Sequence, residues 1–144
     1  MMHLQADGSW SNPALFDVDE NTSIPQLIFD RDRERPHQVM IERLIHGEWH
    51  EVTAEEFTNH LLEIARGLYG LGVRPGDRVA ILASTSYEWA ALDIAILSLG
   101  AVTIPIYESD SAAQISHILT DAGVSQVITQ TAQQADLVES VRTP

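Results

Sequence analysis

The chain of 144 residues carries 8 basic side chains, all of them arginine, against 21 acidic ones, for a formal net charge of −13; it contains neither lysine nor cysteine. These absences exclude a phosphate-gripping P-loop lysine, a Schiff-base lysine, a thiol nucleophile, disulfides and any cysteine-based zinc or iron–sulfur site. The length suits one domain, and so negative a surface repels phosphate backbones and anionic headgroups, which argues against nucleic-acid and membrane-surface roles.

Residues 1–24 read as an acidic, loosely ordered leader: Asp7, Asp17, Asp19 and Glu20 stand among Gly8, Asn12, Pro13 and Asn21 without a sustained apolar period. Trp10, Leu15 and Phe16 are its candidates for docking elsewhere. No basic n-region or apolar h-region opens the chain, so no signal peptide is expected. The alternating charges from Asp30 to Arg35 read as a solvated surface turn before Pro36. Two extended runs, 39–44 and 49–52, flank His46-Gly47 and predict a β-hairpin.

Thr53 and Glu56 have capping-box spacing, and Phe57, Leu61, Ile64, Ala65 and Leu68 form one apolar helical face, with Gly70 and Gly72 as stops. Arg74-Pro75-Gly76-Asp77 is a turn, after which 79–83 is continuously apolar, as in a strand covered on both faces of a parallel sheet. A helix over 86–99 follows, with Thr85 and Glu88 as its capping pair and Gly100 as its stop. A strand over 101–106 is next, then a helix over 112–122 with Ser111 and Gln114 at capping spacing, Gly123 beyond it and Ile115, Ile118, Leu119 and Ala122 as its buried stripe. A strand over 126–129 comes last, and Thr131 starts a helix expected to be still running at Pro144.

Strand–helix–strand–helix–strand with short connections requires right-handed parallel crossovers, so the fold class is α/β: a β-hairpin, then βαβαβ units forming a parallel sheet flanked by helices. The helix over 86–99 is apolar nearly all round and asks for neighbours that three strands and four helices hardly supply. The chain is therefore expected to belong to something larger, or to self-associate. The longest mainly apolar stretch, 94–107, is 14 residues interrupted by Gly100 and Pro105, short of the roughly 20 of a membrane span. A cytoplasmic globular domain with no transmembrane segment is the expectation.

Candidate sites are few. Ser84-Thr85-Ser86 follows the first parallel strand, where α/β proteins place ligands, but it has no glycine for close backbone approach, and Thr85 is accounted for as a cap. Past Glu88 in the first turn, Asp93 is the single charge in the apolar helix and is expected on a narrow solvent-facing stripe with Ser86. His46 and His50 are four apart, yet Gly47 places them at a turn and no HExxH pattern exists. His3, His37, His60 and His117 form no cluster, and the last two are expected on the surface. No Gly-x-Ser-x-Gly elbow occurs. No catalytic, cofactor-binding or metal residue is assigned.

From Trp49 and Thr53-Ala54-Glu55-Glu56-Phe57, through Ala65-Arg66-Gly67-Leu68 and Gly72-Val73-Arg74-Pro75-Gly76-Asp77-Arg78-Val79-Ala80-Ile81, the chain resembles the start of an AMP-forming acyl-CoA synthetase of the adenylate-forming superfamily. The likeness continues through Glu88-Trp89, Asp93-Ile94-Ala95-Ile96-Leu97, Gly100-Ala101-Val102 and Pro105-Ile106-Tyr107. With Ser111-Ala112-Ala113-Gln114-Ile115 and Ile118-Leu119 it resembles the long-chain fatty acid branch. The resemblance implies that residues 25–144 are a partial N-terminal α/β subdomain of a fatty acid–CoA ligase, cut within a helix, whose partner is the remainder of the synthetase chain. It implies ATP, Mg²⁺ and CoA for the full-length enzyme and none for this segment. The family's Ser/Thr/Gly-rich loop with its lysine, Tyr-Gly-x-Thr-Glu and Tyr-x-Gly-Asp segments and C-terminal lysine do not occur here, so the segment is expected to be structural and inactive alone. The alternatives are a stand-alone interaction module and a superfamily member activating another carboxylic acid.

Overall fold

In the computed structural model, which describes residues 3–12, 17 and 19–142, capping and turn chemistry mark out most of the elements. Strands β1 (His3–Leu4) and β2 (Trp10–Ser11) pair with each other antiparallel. Trp10 is exposed, and Leu15 and Phe16 lie outside the described residues.

Helix α1 (Ile24–Glu34) corrects the expected surface turn: residues 30–34 are its last turns. The Ser23 side chain accepts from the Gln26 N–H, Pro25 occupies the first turn, and Arg31 and Arg33 end the helix favourably against its dipole. Only Pro25 and Ile28 are buried, so the stripe is too narrow to stand out among the alternating charges. The boundary drawn at residue 24 thus cuts the helix from its own cap.

The hairpin forms as expected, β3 (Val39–Ile45) against β4 (Glu48–Thr53), with His46 at φ 52° and Gly47 at φ 88°. Both central turn residues have positive φ, the form whose twist matches the strands. Thr53 then caps α2 (Ala54–Gly70) in a complete capping box. The backbone N–H of Thr53 and then its hydroxyl donate to the Glu56 carboxylate and hold it below the usual glutamate range. Phe57, Leu61, Ala65 and Leu68 are buried, joined by Thr58. Gly70 is the last helical residue rather than a stop; Gly72, at φ 98°, takes the left-handed position after the helix.

Strands β5 (Arg78–Leu82), β6 (Val102–Ile106) and β7 (Gln126–Thr129) form a parallel sheet in the order β6-β5-β7. Central β5 has four consecutive buried residues, as continuous apolarity predicts for a strand covered on both faces. On one face Val79 and Ile81 pack with Ala65, Leu68 and Val73 and with Ala95 and Ile96 of α3 (Tyr87–Ser98). On the other, Ala80 and Leu82 pack with Ile115 of α4 (Ala112–Asp121) and Val138 of α5 (Ala132–Val141). The α4 box of Ser111 and Gln114 is complete.

Two further expectations change. The cap of α3 is Ser86, whose hydroxyl accepts from the Trp89 N–H at 3.1 Å, and not Thr85. Helix α5 ends at Val141, where Arg142 is extended and its guanidinium donates to the Ser125 carbonyl at 3.4 Å. The surplus apolar surface of α3 also finds a cover. Helix α1, absent from the predicted set, packs with α2 against α3, so every α3 residue except Glu88 is buried or half-buried. Among the described residues no helix is long and apolar enough to cross a membrane.

Candidate functional site

In a sheet ordered β6-β5-β7 the chain leaves β5 toward one edge and returns to the other, so the crossovers diverge between the carboxyl ends of β5 and β7. Such a switch point opens a crevice where doubly wound proteins bind ligands. Here it is a cleft of about 320 Å³, with Ala83, Ser86, Trp89, Leu92, Ile128 and Gln130 among its walls. Of the Ser84-Thr85-Ser86 segment, Ser86 is in its wall.

The side chains of both the segment's serines are already engaged. The Gln130 carboxamide oxygen accepts from the Ser84 backbone N–H at 3.0 Å and from the Ser84 hydroxyl at 2.8 Å. The Ser86 hydroxyl is taken by its own helix. A phosphate entering here would have to displace Gln130, and no cationic side chain lines the cleft to offset that loss. The loop's chemistry ties β5 to β7 across 46 residues of sequence. The residues present thus do not fit a nucleotide triphosphate. Among the described residues, no three His, Asp or Glu side chains converge to hold its metal ion either.

Asp93 is half-buried on α3, a more enclosed place than the solvent-facing stripe expected of it. His46 is in the hairpin turn and His50 on β4, both exposed; among the described residues no group of three metal-ligating side chains includes them. His117 is exposed as expected.

His60 is not a surface histidine. It is half-buried, stacks on the Tyr87 ring at 5.5 Å between centroids, and its Nδ1 is hydrogen-bonded with the Tyr87 hydroxyl at 2.9 Å. The Arg43 guanidinium lies 3.8 Å from the centroid of the same ring and pairs with Glu88. Hairpin, α2 and the first turn of α3 are thereby joined through one phenol, beside a cleft of about 420 Å³ lined by Ile41, Arg43, Ile45, Tyr87 and Glu88.

The sequence expectations do not include this cluster, though its signals are there. Residues 57, 60, 61 and 64 follow helical spacing, which puts His60 beside the buried face of α2. Ile41, Arg43 and Ile45 alternate with exposed Glu42 and Leu44, which turns Arg43 inward.

Burial pushes the Tyr87 phenol above its ordinary value of 10.0; the Arg43 charge pulls against this, while Glu88 and Glu56 add to it. The unfolded phenol ionises first as pH rises, so the stability Tyr87 confers is complete below pH 10 and is lost as pH climbs toward the folded value. The 295 nm titration of the native chain minus that of Tyr87→Phe should show its step above pH 10. A step at or below 10 would mean the ring is not sequestered.

Set against known proteins, residues 28–144 match the family model described as AMP-binding enzyme. The long-chain-fatty-acid–CoA ligase FadD15 of Mycobacterium bovis is 44% identical over 128 residues, which cover 89% of this chain and 21% of that protein. The chain therefore spans about a fifth of that relative's length. The inhibitor-bound N-terminal domain of FACL13 from Mycobacterium tuberculosis superposes with a TM-score of 0.71 and 28% identity, covering 84% of this chain and 30% of that one. VinN superposes with a TM-score of 0.79 over 88% of this chain and 31% of its own; at 21% identity it speaks to the fold alone.

Proposed function

This chain belongs to the AMP-binding enzyme family, and on that footing we propose that it is the N-terminal α/β part of a long-chain fatty acid–CoA ligase that works in the cytoplasm. The whole enzyme would join a fatty acid carboxylate to AMP at the expense of ATP, then pass the acyl group to the CoA thiol. One observation carries the reading: 44% identity to a ligase of that class across nearly the whole chain.

Within that enzyme, residues 25–144 serve as scaffold. Catalysis of acyl adenylation needs preorganised cationic and N–H donors aimed at developing phosphate charge. This chain has no lysine, and the two donors of Ser84 at its switch point are spent on Gln130. No step of the reaction is assigned to a residue here. Self-association is part of the same proposal. Leu44 and Trp49 face each other across the hairpin and are 59% and 68% exposed, an apolar pair that another surface can cover.

A chimaera tests the reading: this chain replaces the matching segment of the Mycobacterium bovis FadD15 ligase. It should form acyl-CoA from a long-chain fatty acid, while the 144-residue chain alone should give no fatty-acid-dependent exchange of pyrophosphate into ATP. A folded but inactive chimaera, or robust exchange by the chain alone, refutes it.

A further inference from the structure

Residues 84–88 run from just beyond β5 into the first turn of α3, and both ends of this short segment are tied to other elements. At one end, Ser84 gives its N–H and its hydroxyl to the Gln130 carboxamide beyond β7. At the other, Tyr87 and Glu88 are held by the hairpin and α2. The Arg43 guanidinium pairs with Glu88 and lies over the Tyr87 ring. His60 meets the Tyr87 hydroxyl, and Phe57 packs edge-on against the ring at 5.7 Å.

Between these anchors there is no slack. Ser86 is extended, with φ −152° and ψ 175°. Its hydroxyl and its carbonyl accept from the Trp89 and Ala90 N–H groups, at 3.1 Å each. A link already extended cannot absorb a displacement of one end by stretching, so it passes the displacement to the other. The segment also belongs to two clefts. Ser86 and Glu88 line both the cleft of about 420 Å³ against the hairpin and that of about 320 Å³ at the switch point. The Glu88 side chain is 60% exposed, so Arg43, and not burial, keeps its carboxylate on the hairpin side.

We infer that residues 84–88 act as a strap that couples the seating of the hairpin to the width of the switch-point cleft, with Arg43 as the positioning residue that holds it. With Arg43 in place, Tyr87 and Glu88 are drawn against the hairpin and the cleft wall is fixed at both ends. When the hairpin lifts, Arg43 leaves with it, and Ser84 and the first turn of α3 open locally while the sheet stays intact. Coupling between two sites is reciprocal, so cutting the tie between Ser84 and Gln130 loosens the grip on Tyr87 in turn. The strap needs no ligand and no ligase activity.

Amide hydrogen exchange, followed by NMR in the 144-residue chain, reads the coupling at the Ser84 and Trp89 N–H groups, which the tie and the cap protect. Arg43→Met keeps the stem of the side chain and removes its charge. It should speed exchange at both amides about threefold more than at the amides of central β5. Glu88→Gln, at an exposed position, should speed the same two amides without disturbing the packing. Arg43→Lys returns a cation to Glu88 and should bring both rates back toward native. In the reverse direction, Gln130→Ala should move the Tyr87 ionisation step down toward 10.0 through lost burial, with Arg43, Glu88, Glu56 and His60 still facing the phenol. The strap is refuted by native exchange at Ser84 and Trp89 in Arg43→Met, or by a Tyr87 step that Gln130→Ala does not move. Equal acceleration of the β5 amides also refutes it, since that marks a loss of overall stability alone. Acyl-CoA formation by the chimaera is a separate readout, and either result can fail without the other.

Discussion

Ile81→Ala should lower the unfolding free energy by about 2–5 kcal/mol, the range for removing a large aliphatic side chain from a packed core. The upper half of the range is expected here. Ile81 is fully buried on the central strand β5, hydrogen-bonded strands lie on both sides, and Ala95 and Ile96 of α3 pack in the same cluster. None of these neighbours can move in to fill the gap without breaking the sheet ladder or lifting α3 off α2. A chain of this size loses roughly 3 °C of melting temperature per kcal/mol, so the melt should fall by about 10 °C. Leu82→Ala should cost a similar amount through the opposite layer of α4 and α5. Urea melts of the two variants check this, and a loss below about 1 kcal/mol for Ile81→Ala would show that β5 is not the shared core of both faces.

Gly100→Val is expected to cost about 2–4 kcal/mol, for two separable reasons. Gly100 has φ 71°, a conformation that costs an L residue roughly 1–2 kcal/mol and a β-branched one more. A Cβ there would also stand 3.3 Å from the Pro75 Cβ, which is tight enough to push the neighbouring turn. That turn is held to Gly100 by its own backbone: the Gly76 N–H donates to the Gly100 carbonyl at 2.8 Å, and the Val102 N–H to Asp77 at 2.8 Å. The turns entering β5 and β6 are therefore one unit. Gly100→Ala separates the effects, since it keeps the conformational cost and most of the crowding but removes the branching. It should destabilise by about 1–2 kcal/mol in thermal melts. Equal melting of both variants with the native chain would mean the turns adjust independently.

Much of the architecture is legible wherever a short-range rule decides it. The Thr53/Glu56 and Ser111/Gln114 boxes, the His46-Gly47 turn and the unbroken apolarity of β5 each depend on residues within a few positions of one another, and each appears as read. Helix α1 is not legible in the sequence because its stability is not local: two buried residues and alternating charges carry little pattern, and contact with α2 and α3 supplies the rest. The start of α3 shows the same limit. Thr85 and Ser86 are both competent caps, and the choice falls to Ser86 beside Ser84, which Gln130 anchors from the end of β7.

The candidate sites divide along the same line. The composition by itself determined what these 144 residues cannot supply: with no lysine and no cysteine among them, they offer neither ammonium nor thiol chemistry however they fold. The order of the residues also determined the parallel α/β class, through apolar period and crossover handedness. Tertiary structure alone decided that Gln130 occupies the donors of Ser84 and that Arg43 and His60 meet on Tyr87. Most of these contacts join residues 27 or more positions apart, brought together only when the sheet and its two helical layers close, so no local pattern could announce them.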